Sequence, residues 1–113
     1  MNGIQIFSPT ELSTASFQHL LPEFFEEFTA DYQLLKEAFK TDNNYRLERI
    51  AHKMKGSAAS YSAVLLFKKA KVLQEAVGFG TTDDLQFKIT ELGEGITHSY
   101  DYAVNHFKIT EHL

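Results

Sequence analysis

Apolar residues in this chain recur every three or four positions through several successive stretches, and that spacing limits its fold more than any other feature. Leu47, Ile50, Ala51, Met54, Ala58 and Tyr61 fall on an i, i+3, i+4, i+7 stripe, the pattern of a helix that buries one face. Phe24, Phe25, Phe28, Leu35, Ala38 and Phe39 repeat it upstream. Leu66, Phe67, Ala70, Leu73 and Val77 repeat it downstream, as do Leu85, Ile89, Leu92, Ile96, Ala103 and Phe107. Polar or glycine-rich breaks separate the stripes: KTDNN at 40–44, SYSA at 60–63 and GFGTT at 78–82. Thr81 with Asp84 offers a capping pair for the last helix. Ser8, Pro9 and Glu11 read as the start of a short leading helix running to about Leu20, with Pro22 opening the next one. Four amphipathic helices with short links, plus the short leading one, predict an all-α, antiparallel up-down four-helix bundle. Gly93 and Gly95 interrupt the last helix at about 1 kcal/mol each, for no reason visible in the sequence.

Composition narrows the class. A chain of 113 residues with 43% hydrophobic and 23% charged content is expected to form one domain over 1–113 around a single core. With no cysteine, disulfides, thiolate nucleophiles and Cys-based zinc sites are excluded. No apolar run approaches a membrane span, and the N-terminus lacks the features of a signal peptide. A cytoplasmic monomer is the expectation, and the initiating Met leans towards a free-standing protein. The net charge of −4 argues against a nucleic-acid binder. It is unevenly spread: from 46 to 71, seven cations (Arg46, Arg49, Lys53, Lys55, Lys68, Lys69 and Lys71) oppose Glu48 alone, giving +6 and leaving −10 elsewhere. The plain interpretation is a solvated basic face; the sharper one is a docking patch.

The segment ERIAHKMKGSAAS at 48–60 raises a more specific question, because glycine is a poor helix residue. At 100° per residue, His52 lies about 140° from Leu47, away from the core direction and near Tyr45, Glu48, Gly56 and Ala59. His52 is therefore expected on the solvent side. Gly56 at i+4, with Ala59 beyond it, leaves the imidazole without bulky cover, so a phosphoryl group or partner backbone could approach. Lys55 at i+3 supplies a cation for a bound anion. Counting from Ala63 at the centre of the turn, His52 lies 11 residues before it and Gln74 11 residues after. An antiparallel hairpin would bring the two to one level, where Gln74 could hydrogen-bond the imidazole and fix which ring nitrogen stays free.

Residues 51–76, AHKMKGSAASYSAVLLFKKAKVLQEA, resemble the signature of histidine-containing phosphotransfer (HPt) domains of bacterial multistep phosphorelays. His52, Met54, Lys55, Gly56, Ser57, Ala63, Leu66, Ala70, Leu73 and Gln74 fit that pattern in register, with a motif core at 45–77. Ser62 stands where the family has a turn glycine, and could instead cap the following helix. The resemblance implies that His52 accepts a phosphoryl group from a receiver-domain aspartyl phosphate and passes it to another receiver. On the same grounds Lys55 would stabilise the phosphoryl oxygens, Gly56 would give room and Gln74 would orient the ring from its Nδ1 side. Arg49, Lys53, Ala59 and Lys71 would contact the partner. The implied partners are response-regulator receivers and a hybrid sensor histidine kinase. The chain would be a phosphocarrier without a cofactor of its own, and Mg²⁺ would belong to the receiver. This suits the chemistry, since a neutral imidazole is itself a nucleophile and phosphoryl transfer depends mainly on positioning and charge stabilisation.

Two rivals remain at this stage. A non-catalytic docking bundle explains the stripes and charge but leaves His52, Lys55, Gly56 and Gln74 coincidental. A di-iron bundle needs Glu-x-x-His on two helices and a Glu from each of two others. Glu94 and His98 have the wrong spacing, so no metal site is expected.

Overall fold

The computed structural model describes residues 5–7 and 15–107, with side chains in the first helix from residue 18 onward. Those residues form four helices: α1 (Ala15–Lys40), α2 (Asn44–Ser60), α3 (Val64–Ala76) and α4 (Thr82–Phe107), with no strand among them. α1 packs on α2, α2 on α3, α3 on α4 and α4 back on α1, closing a ring around one core. The periodic residues fill that core. Phe24, Phe25, Phe28, Leu35, Leu47, Met54, Leu66, Leu73, Ile89 and Leu92 are all buried. Ile50, Tyr61, Phe67 and Phe107 pack against them half-buried. Phenylalanine serves mainly as core filling, although Phe79 and Phe87 are exposed.

The expected helix boundary at 20–22 is overturned, because Pro22 lies inside α1. Proline offers no N–H to the carbonyl four residues back, at a cost of about 3 kcal/mol in a helix interior. The apolar stripe nevertheless runs straight through it: Leu21, Phe24 and Phe25 are at most 1% exposed. Burying each such side chain contributes about 1.5–3 kcal/mol, so packing outweighs the local signal. The proposed start at Ser8, Pro9 and Glu11 lies outside the described residues. A contribution the stripes do not reveal comes from residues 6 and 7. Ile6 and Phe7 are buried, Leu65 N–H donates to the Ile6 carbonyl at 3.3 Å, and the Phe7 ring lies 5.5 Å from that of Phe107.

The links end their helices in the same way. After α1, Asn43 N–H donates to Ala38 O and Asp42 N–H to Phe39 O, while Asp42 sits at φ 61°. After α2, Ala63 N–H donates to Ala58 O and Ser62 N–H to Ala59 O, with Ser62 at φ 56°. Both are Schellman endings, whose left-handed position favours glycine. Ser62 thus terminates α2. It does not cap α3, whose N-cap is Ala63 with no side-chain hydrogen bond. The Thr81 cap forms as expected, its hydroxyl accepting from Asp84 N–H at 3.0 Å.

Packing also explains one of the two glycines of α4. A Cβ on Gly93 would collide with the hydroxyl of Tyr32, which reaches across from α1 to donate to the Ile89 carbonyl at 2.8 Å. Burial, aided by Glu94, raises the pKa of that phenol above its ordinary 10.0. Gly95 is buried too, but a Cβ there would meet Leu66 at 3.4 Å, an ordinary contact distance, so packing does not by itself require glycine at that position.

Candidate functional site

The site is set by how α2 begins. The Asn43 side chain accepts from Arg46 N–H at 3.1 Å and caps the helix. Leu47, Ala51, Met54 and Ala58 then turn inward. With that stripe fixed, His52 faces solvent, and Gly56 and Ala59 follow it exposed on the same face. A Cβ built on Gly56 has nothing within 4 Å. No contact among the described residues therefore requires glycine at this position.

α3 brings Gln74 to the imidazole. Its Nε2 lies 3.1 Å from His52 Nδ1 and donates to Glu48 Oε2 at 2.7 Å. Glu48 and His52 are four residues apart, neighbours on one helix face. Nε2 of His52 makes no hydrogen bond among the described residues. The level count from the turn therefore places His52 and Gln74 together, as expected. Glu48 is the site residue that charge and wheel position alone do not reveal, although its i−4 spacing on the histidine's face is a usable signal.

The cations separate into paired and unpaired groups. Lys53 Nζ lies 3.1 Å from Oδ1 of buried Asp31 and 3.9 Å from Glu27. Lys69 bonds Glu91 at 2.6 Å. Arg49 donates to the Tyr45 hydroxyl at 3.0 Å, and its guanidinium lies 5.7 Å from that ring's centroid. Lys55, half-buried beside His52, and exposed Lys71 form no ion pair among the described residues. Among the described residues no group of three or more His, Asp or Glu side chains is arranged to hold a metal. Nor is any helix among them long and apolar enough to cross a membrane.

The decisive comparison is with protein families: the model of the Hpt domain matches residues 19–98. The chain belongs to the Hpt domain family. Comparison with curated proteins and with solved structures gave no match. Hpt domains serve histidine phosphotransfer in phosphorelays, acting as phosphocarriers that meet the receiver domains of response regulators. The matched span contains α2 and α3 whole, and so all of His52, Lys55, Gly56 and Gln74. The helical bundle agrees with the fold of an Hpt domain.

Proposed function

We propose that this chain is a phosphorelay intermediate in which His52 carries the phosphoryl group. The ring proton first moves to Nδ1, and the Nε2 lone pair then attacks the phosphorus of a receiver's aspartyl phosphate; the P–N bond forms as the P–O bond breaks, the aspartate carboxylate leaves, and the Nδ1 proton passes to solvent. Attack by a second receiver's aspartate reverses the exchange. Lys55 balances charge on the phosphoryl oxygens, Gln74 holds the ring from its Nδ1 side, and Gly56 leaves space for the incoming group. Mg²⁺ is held by the receiver. Arg49, Lys53, Ala59 and Lys71 form the rim against which that receiver docks. A hybrid sensor kinase supplies the phosphoryl group, and the chain works as a cytoplasmic monomer. The observation that carries this reading is the outward imidazole, bonded at Nδ1 and, among the described residues, bare at Nε2, beside a glycine that no described contact demands.

An antiparallel up-down course of the helices belongs to the same proposal. It is supported by pairings that climb one helix as they descend the next. Asp31 meets Lys53, while Phe24 meets Tyr61 with ring centroids 4.7 Å apart. Tyr32 meets Ile89, while Phe25 meets Tyr100 at 5.3 Å.

The test is phosphotransfer from labelled phospho-receivers to the wild type and to His52→Gln. Label should pass to the wild type from at least one receiver and be lost in the variant. Equal labelling of both would remove His52 from its role, and the bundle would then be a docking module without chemistry.

A further inference from the structure

One amide nitrogen on α3 serves two acceptor sites. Nε2 of Gln74 donates to the Glu48 carboxylate at 2.7 Å and lies 3.1 Å from Nδ1 of His52. An ionised carboxylate only accepts, so the amide must present nitrogen to it. The second hydrogen of the same nitrogen then points to the imidazole, and Nδ1 can only accept. A neutral ring held in this way carries its proton on Nε2. Oε1 of Gln74, meanwhile, is buried without a hydrogen-bond partner. That is a costly state for an acceptor; turning the amide over would let Oε1 accept from an Nδ1–H, while moving the amide nitrogen into the buried position. Glu48 opposes the turn, because it would put Oε1 against the carboxylate.

We infer that Glu48 is a positioning residue: it locks the Gln74 amide as a donor to Nδ1 of His52, and so protects phosphohistidine from loss of its phosphoryl group to water. The protective half rests on the phosphotransfer reading; the tautomer half does not. When Nε2 is phosphorylated, the neutral ring keeps a lone pair on Nδ1, which the Gln74 N–H satisfies. Hydrolysis requires a water oxygen to bond to phosphorus while the P–Nε2 bond breaks, its electron pair passing to Nε2. The ring leaves as neutral imidazole only if Nδ1 has first gained a proton, and an N–H donor occupying Nδ1 resists that protonation. The same lock makes the unphosphorylated ring shift its proton from Nε2 to Nδ1 before Nε2 can attack. Glu48 therefore favours retention of the phosphoryl group over its rapid exchange.

The experiment compares wild type, Glu48→Gln, Glu48→Ala, Gln74→Ala and the Glu48→Gln/Gln74→Ala double variant, with thermal melts verifying that each is folded. Long-range ¹H–¹⁵N NMR of His52 at about pH 8, where imidazoles are neutral, reads the tautomer directly. The wild type should show Nδ1 unprotonated. Glu48→Gln, whose own amide can either donate or accept, should raise the Nδ1–H population about fivefold, the ratio one hydrogen bond of ordinary net strength supports. Half-lives of phosphohistidine, formed with phosphoramidate or a phospho-receiver, should fall by a similar factor. In the Gln74→Ala background the Glu48 change should add nothing, as coupled residues require. An unchanged tautomer in both Glu48 variants, or an equal effect without Gln74, would overturn the positioning role. A shifted tautomer with an unchanged half-life would overturn the protective role. If the wild type forms no phosphohistidine with either donor, the phosphotransfer reading fails instead, while the tautomer comparison still judges Glu48.

Discussion

At the scale of single residues, Gly56 separates what the fold needs from what a partner would need. A Cβ there touches no described residue within 4 Å, and alanine is the better helix former by about 1 kcal/mol. Gly56→Ala should therefore stabilise the protein by about that amount in denaturant titrations, while slowing phosphoryl transfer from a receiver. Transfer at the wild-type rate would leave the glycine without a functional reason. Much of the site was legible in the sequence because helical geometry is regular. His52, Gly56 and Ala59 follow from the wheel, and Gln74 from equal counts on either side of Ala63. The hydrogen-bond polarity was not legible. Whether Gln74 presents nitrogen or oxygen to His52 depends on Glu48 reaching it from the adjoining helix, and spacing can bring these residues to one level without saying which end of an amide faces which neighbour.

At the scale of elements, the stripes located α2, α3 and α4 correctly, whereas Pro22 was misread. A proline start signal and a continuing apolar stripe competed there, and the buried phenylalanines beyond it decided the outcome in favour of one long α1. The α2–α3 link tests a related conflict. Ser62 holds φ 56° in the position where a Schellman ending prefers glycine, and a side chain in that region costs roughly 1–2 kcal/mol. Both backbone bonds of the ending, Ala63 to Ala58 at 2.9 Å and Ser62 to Ala59 at 3.1 Å, are independent of the serine side chain. Ser62→Gly should raise stability by about 1 kcal/mol, less than the full strain because glycine also frees the unfolded chain. Thermal unfolding measures it, and a lower midpoint would show that the serine hydroxyl supports the turn.

At the scale of the whole molecule, the question is how much of the basic surface is available to an approaching receiver. The linear count of +6 overstates it, since charges paired across helices cancel at a distance. Lys53 is matched by Asp31 and Lys69 by Glu91, which leaves +4 from the remaining cations and Glu48. Asp31 and Glu91 lie on α1 and α4, outside the basic segment, so this pairing was not legible until the helices were assembled. If steering acts through the residual field, Arg49 and Lys71 should dominate it, each standing one turn from His52 or Gln74 on an exposed surface. Arg49→Ala/Lys71→Ala should slow association with a receiver several-fold at low ionic strength. The deficit should close towards 1 M salt, where the screening length falls to about 3 Å. Lys69→Met/Glu91→Gln removes a pair and leaves the net charge unchanged, so it should alter neither the association rate nor its dependence on salt. Stopped-flow measurements across a salt series compare the two double variants directly. Equal losses in both would mean that the receiver reads the basic face through local contacts at α3 and α4, and that the field around His52 does not guide the encounter.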